Sequence, residues 1–102
     1  MGLRILISAG PTREPIDRVR FLSNSSTGYM GAVLAAEALA RGHRVVVVHG
    51  PITEPLPSGV RTIPVERARE MEQVLRRYAT SADVVLMAAA VSDFRAARRP
   101  TR

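Results

Sequence analysis

Arg44-Val45-Val46-Val47-Val48-His49 (RVVVVH) is the stretch whose reading decides the fold. Four consecutive valines do not alternate with polar residues, so a strand built from them is apolar on both faces and must be covered on both. That environment is the interior of a parallel sheet flanked by helices. Upstream, Arg4 to Ser8 (RILIS) reads as a second buried strand lying beside the first, expected to stop at Ala9-Gly10-Pro11. Between the two, Gly28 to Arg41 reads as a short amphipathic helix, with Met30, Val33, Leu34 and Ala38 at helical spacing, Ser26 or Thr27 as its cap and Gly42 after its last turn. Pro11 to Thr27, polar and interrupted by Pro15, reads as an irregular loop whose length points to function.

Downstream of the valines, Pro51, Pro55, Pro57 and Gly59 mark a loop, and Val60 to Val65 reads as a weaker strand whose Pro64 suits an edge or a strand end. Glu66 to Tyr78 reads as a second helix with Ala68, Met71, Leu75 and Tyr78 on one face, and Val84 to Ala88 as a fourth strand. Strand, helix, strand, strand, helix, strand with apolar runs predicts an α/β fold: a Rossmann-like three-layer sandwich around a mostly parallel sheet of about four strands, its site at their carboxyl ends. Residues 1–94 are expected to form this nucleotide-binding domain and residues 95–102 an Arg-rich tail. Four strands make a small doubly wound sheet, and no further helix or strand is read after Ala88, so a truncated fold is part of the expectation.

Composition narrows the function. The 102 residues suit one domain, and 46 % hydrophobic with 24 % charged residues is ordinary for a folded globular chain. A domain of this size buries only roughly two-thirds of the surface its unfolded chain exposes, which keeps self-association in view. Cysteine is absent, excluding disulfides, thiolate ligands and a cysteine nucleophile. Lysine is absent as well, excluding Schiff-base chemistry and a P-loop lysine. The net charge of +6 is concentrated in Arg95, Arg98, Arg99 and Arg102, and two Phe with two Tyr and no Trp make a poor stacking platform, so nucleic acid is not the expected partner. No apolar run approaches the roughly 20 residues needed to span a bilayer, and the first eight residues are too short for a secretory signal. The chain reads as cytoplasmic, with no membrane partner.

Three segments are expected to converge at the carboxyl ends of the strands. Ser8 to Pro15 offers Gly10 for close backbone approach and Arg13 as a planar donor fork for carboxylate or phosphate, although the same residues suit a plain strand-end turn. Ser23 to Gly31 (SNSSTGYMG) runs into a helix N-terminus, where backbone N–H groups and the helix dipole favour an anion, and where Ser and Thr also suit an ordinary cap. Gly31, inside the helix, costs about 1 kcal/mol relative to Ala unless something packs against it. Ala88 to Phe94 places small side chains and Asp93 at a strand end, room for a flat ligand with an acceptor beside it, or a solvated loop acid.

Competing motifs fail on specifics. A dinucleotide fingerprint needs G-x-G-x-x-G and an acid ending the second strand, whereas Gly10 stands alone and His49 ends that strand. His43 and His49 read as structural rather than metal-ligating, and no metal site is predicted. Glu66 and Glu70 read as helix-face charges opposite Arg67, Arg69 and Arg76. No nucleophilic triad can be assembled.

Ile5 to Asp17 (ILISAGPTREPID), Val19 to Gly31 (VRFLSNSSTGYMG) and Met87 to Arg95 (MAAAVSDFR), with Val48-His49-Gly50-Pro51 and Val65 to Met71 between them, resemble the phosphopantothenate–cysteine ligases of coenzyme A biosynthesis, also called phosphopantothenoylcysteine synthetases. The resemblance spans nearly the whole chain and about the first half of a typical family member. It implies activation of the carboxylate of 4′-phosphopantothenate by a nucleoside triphosphate, CTP in most bacteria and ATP in eukaryotes, with Mg²⁺, followed by displacement of the nucleotide by the amine of cysteine. It also implies that Gly10, Ser26, Gly28 and Gly31 lie on the triphosphate, that Ala89, Ala90 and Asp93 surround the nucleoside, and that Asn24 engages the acyl intermediate and the pantothenate moiety. Arg13 is the expected substrate-binding cation. Flavin, which serves a separate decarboxylase domain in many bacterial relatives, is not expected.

This chain departs from the pattern in two places. Tyr29 stands where family members commonly carry a basic residue, and the family's later lysine-rich and Asn-Pro-Asp segments have no counterpart. A homodimer, or a partner supplying the missing half, is therefore expected. The alternative is a truncated, non-catalytic fragment of the same fold that binds a nucleotide or a partner chain.

Overall fold

The computed structural model describes residues 2–15, 21–23 and 28–90. Strand β1 (Arg4–Pro11) lies at the centre of the sheet, between β4 (Arg44–His49) and β6 (Val84–Ala90), and β5 (Arg61–Pro64) extends the sheet beyond β4. All three pairings are parallel: Arg4 aligns with Arg44, Ile5 with Val84, and Val46 with Arg61. Helix α1 (Tyr29–Ala40) follows a short antiparallel hairpin of β2 (Arg13–Pro15) and β3 (Phe21–Ser23), and α2 (Ala68–Ala79) connects β5 to β6. The expected α/β, Rossmann-like architecture of four parallel strands is what the chain adopts.

The continuous apolar runs are explained by two cores, one on each face of the sheet. Ile5, Ile7 and Ala9 with Val45 and Val47 pack under Ala35 and Ala38 of α1, with Leu34, Leu39, Val84 and Leu86 at the margin. Leu6 and Val48 pack against Met71 on the opposite face, with Val74, Leu75 and Tyr78 of α2 around them. Because side chains alternate across a strand, residues 5–9 are buried without interruption only where both faces are covered. On β6 the cover is one-sided: Val84 and Leu86 join the α1 core, while Val85 and Met87 are exposed.

Several boundaries differ from those read in the sequence. Strand β1 continues through Gly10 to Pro11, because β6 also runs on and pairs Gly10 with Ala89 and Pro11 with Ala90. Pairing with β4 ends at Ala9, so Pro11 has a strand neighbour on one side only, where a missing N–H is tolerated. The loop expected over residues 11–27 contains the β2–β3 hairpin. In α1 the buried stripe is Gly31, Ala35 and Ala38, whereas Met30 and Val33, expected to face the core, are 58 % and 42 % exposed. The N-cap position of α1 belongs to Gly28, and the expected caps Ser26 and Thr27 lie outside the described residues. Helix α2 begins at Ala68 rather than Glu66, with Arg67 as N-cap and the Glu70 carboxylate accepting the N–H groups of Glu66 and Arg67, both at 2.9 Å. Glu70 thus acts as a capping group, not as the partner of a cation on the helix face. Along the helices Glu37 pairs with Arg41, and Glu72 with Arg76.

His43 accepts the Leu3 N–H at Nδ1, 3.0 Å away, and so ties the α1–β4 turn to the start of β1. Among the described residues, no helix is long and apolar enough to cross a membrane. The Arg-rich segment 95–102 lies outside them.

Candidate functional site

The carboxyl ends of the strands and the start of α1 meet in a closely packed junction. Strand β1 ends in Gly10 and Pro11, with Gly10 at φ +79°, and α1 starts from Gly28 at φ +88°, both in the left-handed region that favours glycine. The first turn of α1 lies directly on the end of β1: a Cβ built on Gly31 would stand 2.3 Å from the Cβ of Ala9. The expectation that something packs against Gly31 is met by that methyl group. Gly50, which follows β4, donates its N–H to the Ala9 carbonyl at 3.1 Å, and its own Cβ position is blocked by the Pro11 carbonyl.

The fourth element of the junction is Ile52. Its side chain occupies the space beside both left-handed glycines, Cγ2 lying 2.0 Å from a Cβ built on Gly10 and 2.7 Å from one built on Gly28. Close approach at these two positions is therefore made, on the Cβ side, by the chain itself. Gly50 and Ile52 join the junction without belonging to any of the three segments the sequence points to. The hint in the sequence was Gly50-Pro51 directly after the valine run, the point where β4 must leave the sheet.

The structure brings Gly10, Gly28, Gly31 and the backbone of Ala89 and Ala90 to this one end of the sheet, Ala89 pairing with Gly10. The Arg13 backbone lies in β2, paired with Ser23. Asn24, Ser26 and Asp93 lie outside the described residues. Tyr29, in the first turn of α1, is 61 % exposed. The His49 ring lies beside the junction, its Nδ1 2.9 Å from the Gly50 carbonyl oxygen, to which it donates in the matching tautomer.

Charge pairing is visible at the opposite end of the sheet. There the Arg4 N–H donates to Asp83 Oδ2 at 2.8 Å, and the Arg4 guanidinium lies 3.7 Å from the same carboxylate oxygen. A largely apolar cavity of about 150 Å³ opens beside it, bounded by Leu6, Val46, Tyr78 and Ala82, with Arg4 and Arg44 on its wall. The Glu70 carboxyl is held below its ordinary acidity range by the hydrogen bonds it accepts from the Arg67 and Glu66 N–H groups.

The model of the DNA/pantothenate metabolism flavoprotein C-terminal domain matches residues 1–102. The coenzyme A biosynthesis bifunctional protein CoaBC of Escherichia coli K12 is 45 % identical over 95 residues, covering 93 % of this chain and 23 % of that protein. The crystal structure of the C-terminal domain of a CoaBC superposes with a TM-score of 0.88 at 45 % identity, covering 94 % of this chain and 48 % of that one. A mutant Cab2 in complex with phosphopantothenate-cysteine shares the fold, with a TM-score of 0.79 at 21 % identity, over 98 % of this chain and 49 % of its own. The chain thus spans about a quarter of the bifunctional relative and about half of the two solved structures.

Proposed function

Since the chain belongs to the DNA/pantothenate metabolism flavoprotein C-terminal domain family, we propose that it is the nucleotide-binding portion of a phosphopantothenate–cysteine ligase of coenzyme A biosynthesis. The observation that carries this reading is the 45 % identity to the C-terminal domain of CoaBC over nearly the whole chain, together with a glycine junction at the end of the sheet where Rossmann-like folds bind ligands. In this reading the chain takes 4′-phosphopantothenate, cysteine and a nucleoside triphosphate, CTP ahead of ATP, acts in the cytoplasm, and forms an amide through an acyl-nucleotide.

The roles assigned here are those the resemblance implies, with the left-handed Gly10 and Gly28 and the close packing at Gly31 in support. The N-terminal turn of α1 directs its N–H groups and the positive end of its dipole toward the phosphates, with Gly10, Gly28 and Gly31 shaping the backbone there and Ser26 adding a hydroxyl. Charge that builds on phosphate oxygens during acyl transfer is stabilised by donors already fixed in place. Ala89, Ala90 and Asp93 border the nucleoside, Asn24 holds the acyl intermediate, and Arg13 the anionic substrate. Among the described residues, no three His, Asp or Glu side chains stand close enough to hold a metal ion. Mg²⁺, where it accompanies the triphosphate, would supply charge neutralisation on the phosphate oxygens.

The alternative reading is a non-catalytic domain of the same fold that binds a nucleotide or a partner chain. Calorimetric titration with CTP and with ATP in the presence of Mg²⁺, with NADH as control, tests the first claim. Saturable binding of one triphosphate and not of NADH is expected; no binding of either triphosphate would overturn the assignment. Product formation from the three substrates by the chain alone would eliminate the second reading.

A further inference from the structure

We propose that Ile52 is a positioning residue: its side chain holds the end of β1 and the start of α1 at a fixed separation, so that the shape of the junction is set from the loop after β4. The two glycines it touches are 18 residues apart in sequence, and a single methyl group, Cγ2, lies against both. At Gly28 the three heavy atoms nearest the built Cβ are all from Ile52: Cγ2 at 2.7 Å, Cβ at 2.9 Å and Cδ1 at 3.4 Å. At Gly10 the nearest two are again Ile52 Cγ2 and Cβ, at 2.0 and 3.4 Å.

A spacer works only if its own base is fixed, and this one is. Two residues before Ile52, Gly50 is hydrogen-bonded to Ala9, and its α-carbon abuts the Pro11 carbonyl. The loop is therefore anchored to β1 at the level where Gly10 sits. From that anchor the β-branched Ile52 side chain, stiff about its first torsion, reaches across to Gly28. The arrangement explains two features together. Gly10 and Gly28 have left-handed backbones, and each also presents a face without a Cβ to the same side chain, so glycine is required there twice over. It also means that α1 cannot move relative to β1 at this end without displacing Ile52.

For ligand binding the inference rests on the nucleotide reading above; for packing it stands independently. The packing experiment is a double-mutant cycle in urea with Gly10→Ala and Ile52→Ala. Gly10→Ala is expected to lower the midpoint strongly in the wild-type background. It should lower it much less with Ile52→Ala, where Cγ2 is gone and only the backbone strain remains. Equal loss in both backgrounds would overturn the proposal. The binding experiment titrates CTP and ATP into Ile52→Ala and Ile52→Val at a temperature where both are folded by circular dichroism. Ile52→Ala is expected to bind at least about tenfold more weakly, and Ile52→Val, which retains Cγ2, to recover most of the affinity, whereas Ile52→Leu, which keeps the volume but has no methyl branch at Cβ, should not. Wild-type affinity in a folded Ile52→Ala would refute the positioning role. If the wild-type chain binds neither triphosphate, the functional reading fails, and the urea cycle alone decides the role of Ile52.

Discussion

Replacing Gly31 with alanine sets two well-calibrated effects against each other with opposite signs. Helix propensity favours the substitution: alanine in a helix interior is better than glycine by about 1 kcal/mol. Packing opposes it, because the new methyl would stand 2.3 Å from Ala9 Cβ and 3.2 Å from Ala9 Cα. Carbon atoms rest comfortably at ~3.8 Å, so the methyl lacks about 1.5 Å of room. Neither partner can turn aside, since the obstruction is the Cβ and backbone of a fully buried strand residue and the probe is fixed to a helix backbone. Overpacking costs of about 1–3 kcal/mol then apply toward their upper end. Net of propensity, Gly31→Ala is expected to destabilise the chain by about 1–2 kcal/mol, lowering the melting temperature by roughly 5–15 °C for a domain of this size. Urea unfolding followed by circular dichroism measures it, with Ala9→Gly/Gly31→Ala as the companion in which the opposing methyl is removed and part of the loss returns. A Gly31→Ala midpoint at or above wild type would show that the helix start does not rest on β1 as described.

Two other substitutions probe the frame around the junction. Ile7, wholly buried between α1 and the sheet, should cost about 2–5 kcal/mol on truncation to alanine, read as a lower urea midpoint with unchanged slope. Glu70→Gln should weaken the start of α2 by a few tenths to about 1 kcal/mol. Its pH dependence has a definite sign: the folded-state pKa lies below the ordinary 4.5, so the stabilisation is full above that value and is lost as pH falls through the folded-state one. The stability gap between wild type and Glu70→Gln, measured by urea melts from pH 7 to pH 3, should therefore close toward the acid end; a gap that widens on acidification would contradict the cap.

The valine run disclosed the sheet because a strand covered on both faces leaves a pattern that few other structures produce. The buried face of α1 left no such pattern. In Tyr29–Ala40 nearly every residue is apolar, Glu37 being the one charge, so periodicity cannot tell Met30 and Val33 from Gly31 and Ala35. Size decides instead: the small residues turn to the sheet and let the helix approach closely. The capping role of Glu70 is hidden in the sequence because the apolar pattern extends α2 back to Glu66, whereas the helix starts at Ala68 and places Glu70 at its third position. At the candidate site, Gly10, Gly28 and Gly31 were visible as residues that need space or backbone freedom. That Ile52 fills the space beside two of them depends on a contact between segments 42 and 24 residues apart, which no local pattern encodes.

The two margins of the sheet are unlike, and the difference gives it a direction of growth. At one margin β5 is four residues long, ends in Pro64 and exposes Arg61 and Thr62, features that discourage a further strand from docking. At the other, β6 is seven residues long without proline or charge, and among the described residues it is paired along one side only. Val85 and Met87 form an oily shelf on it, beyond the reach of α2. An added strand, from more of the same polypeptide or from a neighbouring molecule, is templated beside β6, and a helix accompanying it finds that shelf ready. The same margin is where unwanted edge-to-edge pairing of separate molecules would begin, and a lysine at Val85 is the smallest change that would make the template self-limiting.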